Sequence, residues 1–404
     1  MWSNLFTKPV KPTRSLDEAM LEVVQEGEWL SRADETLAKA RKKYPVLADT
    51  LDSPQSPDKH AEGPRVNDHI RLMLASLNAI VAGKLNLLEI EEFARLKGYE
   101  GEIEEIQNTI KEWAAFFEVF VLMHDIAKGP SVRFIPAPDS LGAELGFGTL
   151  KAGWDDIGGE ERLVWRKTYD DLYAQFASTR VGEKRQMIQV EFFKKYQISV
   201  SNWGHAKAIY KPHLEESVRR CAKEYRLNEK DTDLLVDIIA MHLEPLIRFR
   251  QAAEPKEYDY LVVHANRQGY DADDYLDLLG GCVMLDMVLG RQAVGAHGYW
   301  HDPHTIENFL RAEHDWAPWK KAEGMAMKEQ QTEQTKKQVL KEVGLDGESL
   351  MDLTGMTPGP ELGKLLRNIS QSLDSIEHLP EVGVKYETEI LRRIGEARIK
   401  INEL

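Results

Sequence analysis

Three stretches of this chain are almost wholly apolar, and each carries isolated ionisable groups. The first, residues 113–128, closes with Val119-Phe120-Val121-Leu122-Met123-His124-Asp125-Ile126-Ala127-Lys128. The second, residues 234–243, contains Asp237 and carries His242 next to its end. The third, residues 278–289, sets Asp286 among Leu, Met and Val. Runs of this kind are expected to be buried, and a buried imidazole or carboxylate costs several kcal/mol unless something compensates it. This limits the fold more than any other feature, because the polar groups of the three segments must answer one another. A shared metal ion is the simplest answer, since both side-chain types are good ligands. Each group taken alone has a plainer reading. A single histidine on an apolar helix is more often a hydrogen-bonded core residue than a ligand, and a single aspartate can cap a neighbouring helix.

The rest of the pattern is helical, and the expected fold class is all-α. Residues 1–60 read as an N-terminal helical extension and linker, with one helix over about 15–44 and a Pro/Ser/Asp/Gly-rich linker or long loop over 49–64. From Val66 the residues Ile70, Leu72, Met73, Leu74, Leu77, Ile80 and Val81 form a wide apolar face. Residues 102–128 read as one long helix. Residues 129–200, with Gly and Pro clusters and β-like pieces such as 131–135, read as an irregular insertion whose length and aromatics suit a substrate lid. Helices return from 203 to about 290. A charged helix-former over 320–341 leads to a small C-terminal helical module that begins near Gly344 and ends in a helix from Glu381.

Composition narrows the function classes. The formal net charge of −15 argues against a general grip on nucleic acid, which needs a basic footprint, and leaves only a local patch open. The two cysteines, Cys221 and Cys282, fall in expected helices, so a reducing compartment is expected rather than a disulfide framework. The segment 1–8 does not read as a signal peptide, and no apolar run reaches membrane-spanning length. A cytoplasmic chain with no membrane partner is expected, and its oligomeric state stays open.

The three polar-bearing runs, with His69 in Glu62-Gly63-Pro64-Arg65-Val66-Asn67-Asp68-His69, Lys128 four residues after His124, Gly204-His205 and Arg291, resemble the HD phosphohydrolase superfamily. The resemblance implies an HD-type helical bundle in which His69, His124, Asp125 and Asp286 hold a metal. It also implies that His205 and His242 hold a second metal, bridged by Asp125. Asp274 and Asp277 are competing choices for the last ligand. The same motifs, followed by residues 346–353 and Pro358-Gly359-Pro360-Glu361-Leu362-Gly363-Lys364, look like the HD and tail modules of some bacterial CCA-adding tRNA nucleotidyltransferases. The resemblance covers roughly residues 61–130, 200–295 and 344–400, and it places an HD domain over 61–315 with the insertion at 129–200 and a C-terminal module over 316–404. The polymerase domain of that family needs a Gly-Ser turn and an Asp-x-Asp pair. Residues 1–60 hold neither, so CCA addition is not expected.

The chemistry implied is hydrolysis of a phosphoester by water activated at one or two divalent ions, with Mn, Ni, Co, Fe, Zn and Mg all open. The substrate implied is a nucleotide or RNA-end phosphoester, with RNA a further partner. Asp125, Lys128 and Arg291 are the expected catalytic groups, the two cations as holders of phosphate oxygens. Lys128 also reads as a helix C-terminal charge. Alternatives are a di-iron HD-type oxygenase and a non-catalytic RNA-binding or regulatory HD protein. His297, His301, His304 and His314 read as an ordered loop rather than a metal site, with Tyr299 and Trp300 able to stack on a base. Pro358-Gly359-Pro360 reads as a tight turn with Pro at the first helical position. Lys364 and Arg367 are the candidates for RNA contact.

Overall fold

The computed structural model describes residues 14–56, 60, 62–96, 98–148, 160–183, 185–202, 204–291, 293–295, 298–300, 303–374 and 384–402. It is all-α apart from two two-stranded antiparallel sheets. The chain divides into two compact units, Met1–Trp316 and Ala317–Leu404.

The first unit is built round the helix Val66–Val81, which carries His69. Glu28–Lys43 packs along it on one side, and Ala114–Met123 lies against it on another. The helix begins where the Asp68 carboxylate accepts from the Arg65 backbone N–H at 3.1 Å. Ala114–Met123 is buried on nearly every side, as its composition requires. Glu229–Met241 is started by Asn228, whose side chain accepts from the Asp231 N–H at 2.9 Å. Ala272–Val283 is started in the same way by Asp271 and runs on into a π-helical turn, Met284–Leu289, which carries Asp286. Cys221 and Cys282 are buried, unbonded and on separate helices.

Four expectations are corrected. The N-terminal pattern is two helices, Leu16–Gln25 and Glu28–Lys43, because Gly27 turns the chain with φ +60°. The expected helix over 102–128 is broken at Trp113, which leaves helical geometry at ψ 31°. The break separates a helix that buries one face, Glu100–Glu112, from one buried all round. Residues 49–56 are no surface linker, and the N-terminal helices share one core with the rest of the unit. Thr50, Ser53, Gln55 and Ser56 are buried, and the Thr50 hydroxyl donates to the Ile126 carbonyl at 2.6 Å. Polar composition here imitates a loop, yet the Thr50 hydroxyl, the Gln55 amide nitrogen and the Ser56 hydroxyl are each tied into the interior by hydrogen bonds.

The insertion departs from expectation too, because its described residues form a subdomain of regular elements. Strands Arg133–Pro136 and Ile198–Ser201 pair at its base, with Phe134 opposite Val200. Helices Glu160–Ser178 and Arg185–Tyr196 close over them. Its aromatics make its own core: Phe134 stacks on Tyr169 at 4.8 Å, and Phe192 meets Tyr169, Tyr173 and Phe176 edge-on. Trp165, Tyr169, Leu172, Tyr173 and Phe176 have the i, i+4, i+7 spacing of one helix face, a signal masked by the Gly and Pro residues that precede it.

The second unit has its own small core of Leu340, Leu345, Leu350, Leu362, Leu365, Ile369, Ile390 and Ile394. Asp346 caps Gly347–Thr354, Pro360 opens Pro360–Asp374, and Val384–Asn402 is the last helix. Among the described residues no helix is long and apolar enough to cross a membrane.

Candidate metal centre

The two apolar helices that carry histidine stop at it. His124 is the residue that ends Ala114–Met123, and His242 ends Glu229–Met241. The last carbonyls of a helix have no intrahelical partner, and each histidine uses one three residues back. His124 Nδ1 donates to the Val121 carbonyl at 3.1 Å, and His242 Nδ1 donates to that of Ile239 at 2.6 Å. His205 does the same in a turn, to Asn202 at 2.7 Å, and His69 Nδ1 donates to the Gly290 carbonyl at 2.9 Å. With Nδ1 fixed as donor, each neutral ring presents a bare Nε2 lone pair. This is the tautomer that metal-binding histidines adopt.

These lone pairs face carboxylates. His69 Nε2 is 3.0 Å from Asp286 Oδ1 and 3.9 Å from Asp125 Oδ2. His124 Nε2 is 3.3 Å from Asp125 Oδ2 and 3.9 Å from Asp286 Oδ1. On the other side of the same aspartate, His205 Nε2 is 3.1 Å from Asp125 Oδ1. His242 joins this side, its ring 5.3 Å from that of His124 and 5.4 Å from that of His205. His69 Nε2, His124 Nε2, His205 Nε2 and both Asp125 oxygens are buried without a hydrogen-bond partner. Lone pair against lone pair is repulsive, so a cation must lie between them, either protons on several adjacent buried imidazoles or a metal ion. Ligand atoms each about 2.1 Å from one ion lie about 3.0–3.4 Å apart at right or tetrahedral angles, which matches the closer contacts. The donor atoms of His69, His124 and Asp125 lie within 4.8 Å of one another, and so do those of Asp125, His205 and His242. These groups could hold a metal ion, and the two helix C-termini add favourable negative potential.

The electrostatics follow from the same crowding. Burial would push the His124 imidazole down, but the adjacent Asp125 carboxylate outweighs it and the net shift is upward. Burial would raise Asp125, yet His124 and Lys128 hold it well below the usual carboxylate range. Asp286 is also lowered, against its burial, by its contact with His69 and the charge on His124. Burial, with His124 nearby, takes His242 down to about 3 and keeps it neutral.

Lys128 does not extend the His124 helix. A tight turn intervenes, and Lys128 starts the short helix Lys128–Ser131. Its ammonium sits 2.6 Å from Asp125 Oδ2, close but off the hydrogen-bonding direction. That replaces the helix-end reading with contact at the centre. Arg291 directly follows the Gly290 carbonyl that holds His69, and its charge reaches His60, as does that of Lys128.

His60 and Glu62 carry no role in the sequence reading. His60 Nδ1 meets Glu62 Oε1 at 2.8 Å, and Glu62 Oε1 stands 3.5 Å from His69 Nδ1. These three could form a further metal group by proximity alone, but His69 Nδ1 already carries a proton for Gly290. Glu62 is therefore the partner of His60 and stands beside the His69 ring without bonding it. The Glu62-Gly63-Pro64 run was the available signal.

The competing ligands lie elsewhere. Asp274 and Asp277 line a separate acidic pocket with Glu104, Glu105 and Glu112, and burial beside Glu105 raises Asp277 to about 6. Asp237, the other isolated carboxylate, is satisfied by Tyr210, Tyr275 and His264 and has no ligand role. His297 and His301 lie outside the described residues. His304 and His314 are exposed beside Glu307 and Asp315. Tyr299 and Trp300 belong to the hairpin of Ala293–Gly295 and Gly298–Trp300. Lys364 and Arg367 lie on Pro360–Asp374, in the second unit.

Compared with protein-family models, with curated proteins and with solved structures, the chain gives no significant match to any of them.

Proposed function

We propose that this chain is a metal-dependent phosphohydrolase acting on a nucleotide or RNA-end phosphoester. One observation carries the reading: three buried imidazole nitrogens without hydrogen-bond partners converge on the two buried oxygens of Asp125, with a lysine ammonium beside them. The order of the residues, His69, then His124-Asp125, His205, His242 and Asp286, is also the order that resembles HD phosphohydrolases.

In this reading His69, His124, Asp286 and Asp125 would hold one divalent ion, and Asp125, His205 and His242 would hold a second. Ions so held would supply a water of lowered pKa and neutralise phosphate charge. Gly290, Val121, Asn202 and Ile239 keep the histidines in the ligating tautomer through their carbonyls. Lys128 meets a phosphate oxygen as a compact charge, and Arg291 holds another.

The test is turnover of a phosphoester panel by metal-stripped protein resupplied with Mn, Ni, Co, Fe, Zn or Mg. The panel comprises p-nitrophenyl phosphate, bis-p-nitrophenyl phosphate, 2′,3′-cyclic AMP, mononucleotides and dNTPs. Metal-dependent hydrolysis lost in Asp125→Ala is expected. A histidine-rich set split by one bridging carboxylate also suits two irons, so a di-iron oxygenase is the second reading. Iron-loaded protein that consumes oxygen but hydrolyses nothing would establish it in place of the first.

A further inference from the structure

The insertion reaches the turn that bears Lys128 through one stripe of its first long helix. Arg162, Arg166 and Asp170 follow at i, i+4 and i+8 on Glu160–Ser178, and so share a face. Arg162 is buried, and its guanidinium donates to the carbonyls of Ser131 at 3.0 Å and Val132 at 3.2 Å. Ser131 is the last residue of the short helix that Lys128 begins, and Val132 is the residue that follows it. Arg166 donates to Asp49 Oδ1 at 2.7 Å and to the Asp49 carbonyl at 2.9 Å. Asp170 pairs with Arg65, at the start of the His69 helix.

Asp49 and Thr50 continue the path to the same turn. Thr50 Oγ1 donates to the Ile126 carbonyl at 2.6 Å and accepts from the Gly129 N–H at 3.3 Å. Gly129 leaves no slack: a Cβ there would stand 2.7 Å from Asp49 Oδ2 and 2.9 Å from Thr50 Oγ1. The turn bearing Lys128 is therefore gripped at one end by Arg162 and along its side by Thr50, which Arg166 secures through Asp49. None of the six metal-ligand side chains is touched by these bonds.

We propose that Arg162 and Arg166 are positioning residues for Lys128, so that the insertion sets where the ammonium stands rather than covering the site with its aromatics. The proposal rests on the phosphoester reading only for what Lys128 then does. A charge displaced by about 1 Å loses much of its worth to a transition state, so an effect on kcat of tenfold or more is expected.

The experiment uses Arg166→Gln, Arg166→Lys, Arg162→Gln, Lys128→Met and the double variant Arg166→Gln/Lys128→Met in the full chain. The first readout does not depend on turnover. The rate of reductive methylation of Lys128, followed by mass spectrometry, is expected to rise at least threefold in Arg166→Gln and Arg162→Gln, less in Arg166→Lys, with Lys39 and Lys223 unchanged. The second is kcat on bis-p-nitrophenyl phosphate with Mn. Arg166→Gln should lower it with Mn affinity intact, and should lower it no further once Lys128 is Met.

Unchanged Lys128 labelling in folded Arg166→Gln and Arg162→Gln would overturn the proposal. So would a loss of kcat that multiplies with that of Lys128→Met, or labelling that rises equally at the control lysines, which marks general loosening. A wild-type protein that hydrolyses nothing would remove the phosphohydrolase reading, while the labelling still decides the positioning.

Discussion

Gly290→Ala tests the centre through a carbonyl rather than a ligand. Gly290 has φ −83°, ordinary for any residue, so alanine meets no backbone penalty there. The obstacle is steric. A Cβ would lie 2.3 Å from Met73 Cγ, 2.7 Å from the Leu285 carbonyl oxygen and 3.2 Å from that of Asp286. Met73 can rotate away, but the Leu285 oxygen belongs to the π-helical turn and moves only with the backbone. Overpacking of this kind costs about 1–3 kcal/mol. The shift pulls the Gly290 carbonyl off His69 Nδ1 and displaces the Asp286 turn, and loss of such a supporting bond weakens metal affinity about 10–100-fold. The assay is Mn titration calorimetry with thermal melting of the metal-free protein. Gly280→Ala is the control, since its Cβ would meet Ile106 at an easier 3.4 Å. A folded Gly290→Ala that binds Mn as tightly as Gly280→Ala would refute the argument that the glycine and its carbonyl set the His69 ligand.

Three further outcomes are expected. Adding a divalent ion at about 100 times its dissociation constant should stabilise the protein by about 2.7 kcal/mol; melting temperature should rise, and Asp125→Asn should abolish the rise. Metal uptake should release protons and weaken on acidification, because Asp125 keeps His124 protonated to higher pH than a free imidazole and a proton there competes with the ion; His242, at about 3, should contribute nothing to that dependence above pH 5, and buffer-dependent calorimetry counts the protons. At a distance from the centre, burial raises Glu313 to about 7, with Asp277 adding to the rise. A raised carboxyl favours the fold below its unfolded pKa, and that advantage is lost as pH climbs through 7. Glu313→Gln should therefore gain stability relative to wild type between pH 5 and pH 8, and urea melts at the two values with no change in the difference would disprove it.

The candidate ligands were legible because their chemistry conflicts with their surroundings: a His-Asp pair at the end of an apolar run can be read without coordinates. The all-α class was legible from periodicity. The supporting structure was not, for specific reasons. Gly27 and Trp113 break helices in places where the apolar pattern runs on. Thr50 and Gln55 look like loop residues and are buried. Arg162, Arg166 and Asp170 have a visible spacing, but nothing in a sequence says that their partners are the Ser131 carbonyl and Asp49. Asp237 and Asp286 look alike as lone acids in apolar runs; only the three donors round Asp237 mark it as structural and leave Asp286 as the candidate ligand.

The partners of all four Nδ1 protons are main-chain oxygens, three of them set by the i−3 geometry of a chain reversal. Any amino acid supplies a carbonyl. The identities of residues 121, 202 and 239 can change without altering which nitrogen each of these histidines offers, provided the local turn survives. At these three positions the histidines are thus insulated from changes in the residues that hold them, whereas Gly290, which holds His69, has no such freedom. A useful search for this kind of centre would look for histidines that close helices over their own carbonyls, and would give the intervening letters no weight.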